Sequence, residues 1–225
     1  MKRWPLFAAI AYVVLLFAGL VVVPAAPEVT ASGARLVRYY RDHGDGVRVV
    51  TWLSTVAMVP IVLLVAHLRS RITGIGRDVM LLGAAGLVVS TMVWSWFNAG
   101  LALHADTLDP HIARTVADVS AYFGPVVTMS IVLLVVPIGL AAWRGEGGFP
   151  RWLAWLTAVF AVEQSIETVT VFGTRGFIAP GGPMNFALGA GLFVVWVIAA
   201  GAVSGAYLDP RSTSAHRTRA PNITR

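Results

Sequence analysis

A chain of 225 residues that is 57% hydrophobic and only 12% charged, with a mean hydropathy of +0.74, lacks the polar cover of a soluble domain, which carries roughly 25% charged residues. The absence of cysteine excludes disulfides, thiolate metal sites, cysteine nucleophiles and iron–sulfur clusters. The net charge of +6 sits at the edges of apolar runs and not in the aromatic-interleaved patch of a nucleic-acid binder, so the solvent for those runs is lipid.

The pattern predicts an all-α polytopic bundle of six transmembrane helices, because a span needs about 20 mostly apolar residues to cross roughly 30 Å of hydrocarbon. The first span, Trp4–Val23, follows Lys2 and Arg3 and precedes Val23-Pro24-Ala25-Ala26-Pro27. That order resembles a secretory signal, but the apolar run exceeds the roughly 7–15 residues of a signal core, so the span reads as retained. In the loop Ala26–Arg48, Ser32 can cap a short amphipathic helix. Leu36, Val37 and Tyr40 recur at helical spacing with arginines on the other faces, which suits a helix lying on the outer membrane surface. His43-Gly44-Asp45-Gly46 is expected to break it before the second span, Val49–Leu68.

The third to sixth spans read as Val79–Leu103, Asp118–Trp143, Trp152–Phe172 and Met184–Leu208. Pro60, Pro125 and Pro137 fall inside spans and predict kinks or local unwinding. Gly83, Gly86, Gly189, Gly191 and the Gly201/Gly205 pair offer small faces for close helix approach. Residues 1–208 thus form one transmembrane domain, and the basic, proline-punctuated stretch 209–225 is expected to be a disordered tail. Arginines and lysines on alternate sides of the spans number eleven against six. The richer side holds the N-terminus, the second and fourth loops and the tail, and it reads as cytoplasmic, in a cell membrane. The four arginines of the first loop, Arg35, Arg38, Arg41 and Arg48, lie on the other side.

Motifs of soluble enzymes are missing. There is no Gly-Lys-Ser/Thr phosphate loop, dinucleotide fingerprint, His-Glu-x-x-His pair or Gly-x-Ser-x-Gly elbow, so the expectation is no catalytic residue, cofactor or nucleic-acid partner. His104-Ala105-Asp106 and Asp109-Pro110-His111 could hold a divalent metal with Glu167, but their spacing in a loop fixes no coordination geometry. They read as a solvated loop, without a metal site. His67 reads as an interfacial residue at the end of the second span.

The chemistry lies where lipid makes polar groups costly. Glu163 and Glu167 are four residues apart, on one face of the fifth span, about 14 Å and 8 Å from its outer end. An acidic group near the bilayer centre costs at least about 2.5–3.5 kcal/mol on insertion scales, so such groups face a cavity or a partner. At similar depth Thr91, Trp94, Ser95 and Asn98 share a face of the third span. Arg114, Asp118 and Tyr122 repeat every four residues at the start of the fourth, and Asn185 occupies the first outer turn of the sixth. Glu163, Glu167, Asn98, Ser95, Asp118 and Tyr122 are therefore the candidate lining of an outward-facing polar cavity for a small cation, a proton or a polar solute. A structural reading competes, in which amides and hydroxyls bond between helices and the carboxylates are protonated or paired with Arg114 or a first-loop arginine. A carboxylate-pair enzyme using His104 or His111 is a third.

Gly148-Phe149-Pro150-Arg151-Trp152-Leu153-Ala154-Trp155-Leu156, then Ala179-Pro180-Gly181-Gly182-Pro183 and a last span with Trp196, resemble a group of uncharacterised actinobacterial six-span integral membrane proteins. Tyr39-Tyr40-Arg41-Asp42-His43 is similar to the same pattern. The resemblance implies a six-span fold and a cell-membrane location; it supplies no activity and no catalytic residues.

Overall fold

The computed structural model describes residues 3–206. The expected tail 209–225 lies outside the described residues. Within them every regular element is helical: α1 (Trp4–Val22), α2 (Gly33–Arg69), α3 (Ile75–Leu103), α4 (Pro110–Ala121), α5 (Phe123–Arg144), α6 (Arg151–Glu167) and α7 (Ala190–Ala206). A 3-10 turn (Thr168–Phe172) continues α6, a second (Gly176–Ile178) follows, and a π turn (Met184–Gly189) leads into α7. Five stretches are long and apolar enough to cross a membrane: α1, α2, α3, the consecutive pair α4 and α5, and Met184–Gly205. The span expected at Trp152–Phe172 is helical too, but its α-helical part, α6, has 17 residues.

The largest departure from expectation is in the first loop. No short surface helix precedes a break at His43–Gly46; α2 is one helix of 37 residues, capped by Ser32 as expected, whose Oγ accepts from Arg35 N at 3.3 Å. At about 1.5 Å per residue it is about 55 Å long, well beyond the roughly 30 Å of hydrocarbon. Glycine inside a helix costs only about 1 kcal/mol, and here packing offsets it. A Cβ at Gly46 would lie 3.4 Å from Val23 Cβ, and one at Gly44 3.4 Å from Ala102 O. The apolar stripe of Leu36, Val37, Tyr40 and Val47 is buried against Leu101, Ala102, Ala105 and Ala113, a second small core built by α2, the end of α3 and α4. That stripe meets protein, so the segment stands on neighbouring helices instead of lying along a surface.

Proline acts where its ring meets the helix ladder. Pro125 cannot donate to Ala121, and Ala121 is the last residue of α4, with Tyr122 between it and α5. Pro60 and Pro137, by contrast, lie inside uninterrupted α2 and α5. Small residues set the close approaches: a Cβ at Gly83 would overlap the backbone of α5 at Leu134, and Gly201 lies against Ala9 of α1. Gly191 has open space around it, so it does not serve the packing role its spacing suggested.

The main core joins α1, α2, α3, α5, α6 and α7 through Leu64, Met80, Leu134, Ile138, Leu153, Phe160, Trp196 and Val197. Trp196, which fits no interfacial belt, is buried there, and its indole N–H donates to Thr157 Oγ1 at 2.9 Å. The surface is inverted relative to a soluble protein. On α6, Trp152, Trp155, Val159, Val162 and Ile166 point outward, while Thr157, Glu163, Gln164 and Glu167 are buried. A helix with its large apolar side chains outside and its acids inside is arranged for an apolar solvent.

Candidate functional site

The six residues singled out from the sequence fall into two groups by their place in the fold, and the members of the first are not all hydrogen-bonded to one another. The first belongs to α2, α3 and α4. Asn98 is its hub: its Oδ1 accepts from the Tyr40 hydroxyl at 3.0 Å, and its Nδ2 donates to Ser120 Oγ and to Trp94 O, both at 2.9 Å. Ser95, one turn earlier on α3, is 1% exposed, and its hydroxyl has no partner among the described residues. Asp118 forms an ion pair with Arg114, whose guanidinium also donates to Ala31 O at 2.9 Å. Arg114 is thereby tied to the loop before α2, and it does not serve the α6 carboxylates as the structural reading allowed. Tyr122, at the α4–α5 break, is 39% exposed.

The second group is built on α6. Glu163, Gln164 and Glu167 are 8%, 2% and 3% exposed. Residues i, i+1 and i+4 of a helix share one broad face, and on it Gln164 and Glu167 meet the π turn at Gly189. Gln164 Nε2 donates to Glu163 Oε2 at 3.0 Å and to Glu167 Oε2 at 2.6 Å, bridging the two carboxyl groups. Asn185 Nδ2 donates to Glu167 Oε1, and the orientation of its amide is set because its Oδ1 accepts from Gly181 N at 3.0 Å. Asn185 lies in the π turn Met184–Gly189, a helix variant that occurs mostly as single turns and often at functional sites. Gly189 of the same turn allows the approach, since a Cβ there would overlap Glu167 Oε2.

What this group lacks is positive charge. No arginine, lysine or histidine pairs with Glu163 or Glu167 among the described residues; the first-loop arginines Arg41 and Arg48 pair with Asp106 and Asp45, and Arg175 is exposed. Among the described residues, Glu163 Oε1 and Gln164 Oε1 are buried without any hydrogen-bond partner. Two acids and two unpartnered acceptor oxygens in one buried site suit a cationic species better than an anion.

Two open spaces lie elsewhere. A cleft of about 420 Å³ is framed by Val22, Arg41, His43, Asp45, Leu103 and Asp106, and a groove of about 410 Å³ by Val132, Val136, Ala161, Val162, Ser165 and Ile166. None of the six expected residues lines either. In the third loop Asp109 caps α4 by accepting from His111 N and Ile112 N, and Asp106 serves Arg41. No group of three or more His, Asp or Glu side chains is arranged to hold a metal among the described residues.

Sequence reasoning passed over Gln164 and Ser120 and left Asn185 outside the site. The signal for Gln164 was present: it lies one residue after Glu163 and three before Glu167, a position that neighbours both on a helix. Ser120 and Tyr40 carried no such signal, because their partner Asn98 is remote in sequence. No protein-family model, curated protein or solved structure matches this chain.

Proposed function

We propose that the protein is a six-span cell-membrane protein that binds a small cation or a proton at Glu163, Gln164, Glu167 and Asn185, reached from the outer side of the bilayer. The observation that carries the reading is the buried carboxylate pair with no basic partner among the described residues. Ionisable groups kept inside a membrane domain are functional by default. The outer group of Asn98, Ser95, Asp118 and Tyr122 belongs to the same half of the molecule and lies on the side from which a ligand enters. The 17 residues of α6 and the 3-10 turn that continues it supply the fifth of the six spans, with both termini in the cytoplasm as the arginine and lysine asymmetry indicates. A cysteine introduced at Thr107 then reacts with an impermeant thiol reagent in intact cells and one at Ser70 does not; labelling at Ser70 reverses the topology. The lipid bilayer is the standing partner, and the absence of a nucleophile–base pair assigns no hydrolase or transferase activity.

The binding reading is tested by the thermal stability of the purified protein across pH and in sodium, potassium and lithium salts. Wild type is expected to be stabilised by acid or by one of these cations, and Glu163→Gln and Glu167→Gln to lose that response while staying folded. A wild type indifferent to both refutes the reading. The structural alternative would then stand, supported by the bonds that Gln164 and Asn185 already make to the carboxylates.

A further inference from the structure

Gln164 Nε2 donates to Glu163 Oε2 at 3.0 Å, so the amide already faces the carboxyl group. The remaining oxygens of these two groups, Glu163 Oε1 and Gln164 Oε1, are both buried and both unpartnered. Two acceptors cannot satisfy each other, but an acid and a primary amide can: the acid O–H donates to the amide carbonyl while the amide N–H donates to the acid's other oxygen. A proton on Glu163 Oε1 would turn one of these two orphan acceptors into a donor that the other could accept. Ionisation would keep a charge and two orphan oxygens in a buried site. Glu167 is furnished differently. Its Oε2 accepts from Gln164 and its Oε1 from Asn185, so both oxygens act as acceptors, as those of a carboxylate do.

A calcium or magnesium ion suits the site less well, since these hard cations gather about six or more oxygen ligands, and among the described residues the unpartnered oxygens of this group are two. Among the described residues, the elements packed most closely on α6 bring no charge near the pair. The elements packed on α6 are α5, α7, the π turn and the 3-10 turn Thr168–Phe172, and their only charged side chain is Arg144, at the far end of α5. Arg151 of α6 itself lies at the end opposite Glu167.

We propose that the resident ligand of this site is a single proton, carried on Glu163 Oε1 and donated to Gln164 Oε1, with Glu167 as the ionised member of the pair. This narrows the function proposed above, on which it rests, from small cations in general to the proton.

The test is infrared spectroscopy of the full chain in lipid nanodiscs at neutral pH, with carbon-13-labelled glutamate. The chain has only two other glutamates, Glu28 and Glu146, both exposed. A protonated-carboxyl stretch that moves with the label and with deuterium exchange is expected in wild type and in Glu167→Gln, and is lost in Glu163→Gln. In Gln164→Leu the band moves to higher frequency as its hydrogen bond disappears. A wild type without a labelled band overturns the proposal whether or not any variant folds. A band that survives Glu163→Gln and vanishes in Glu167→Gln overturns the assignment to Glu163. If the band is present while stability ignores pH and every cation, the proton assignment holds and the binding function fails. If the band is absent while sodium or potassium stabilises the protein, the assignment fails and the broader function holds.

Discussion

The two polar groups use similar residues to opposite ends. Around Asn98, both atoms of the amide are bonded, to Tyr40, Ser120 and Trp94, and the nearby charges of Arg114 and Asp118 cancel. Around Gln164, the amide holds two acids together on one nitrogen and its oxygen is left alone. The first group cancels its charges, although Ser95 Oγ and Arg114 Nε have no partner among the described residues; the second keeps two acids with no basic side chain beside them among the described residues.

Breaking the first group should give the largest loss of stability. Asn98→Ala leaves the Tyr40 and Ser120 hydroxyls without their partner, and at about 1–3 kcal/mol per unsatisfied buried group the expected loss for the two is about 2–6 kcal/mol. Denaturant unfolding in micelles measures it, and the loss should be the same at every pH at which the fold survives. A loss below about 1 kcal/mol would show that Asn98 does not fasten α2 to α3 and α4.

An intermediate effect is expected at Gly189, where the added Cβ of Gly189→Ala overlaps Glu167 Oε2. Overpacking of this kind costs about 1–3 kcal/mol. Because the overlapping atom is the end of a side chain, Glu167 moves and gives up the bond from Gln164 or Asn185. The variant should therefore lose the pH or cation response of the wild type along with stability; retention of the full response would separate Gly189 from the site. The smallest effect belongs to Arg114→Gln. Asp118 is 47% exposed on its side chain, and solvent screening limits the loss to about 1 kcal/mol. That loss should shrink in high salt, whereas added salt should not mimic Glu163→Gln at the buried pair.

Much of the site was legible on one helix and little of it between helices. Glu163 and Glu167 announce themselves by charge in an apolar run and by a spacing that shares a face. Asn185 belongs with them only because the Ala179–Pro183 turn and the π turn that follows bring it back against Glu167, 18 residues away. Asn98 was grouped with the wrong company: its partner Tyr40 is 58 residues away, in a segment whose glycines argued for a break that packing against α1 and α3 removes.

The sequence by itself determined that the chain is helical and apolar in spans of about 20 residues, because the thickness of hydrocarbon and the hydropathy of a run are local quantities that sum along the chain. Only the tertiary structure decided which polar side chains meet. Hydrogen-bond partners depend on the rotation and register of each helix, and those are set by close approaches such as Gly83 on α5 and Gly201 on α1. A shift of one residue turns a helical side chain by about 100°, enough to move Gln164 from between the two acids to a lipid-facing position. No composition or spacing within one span records that angle.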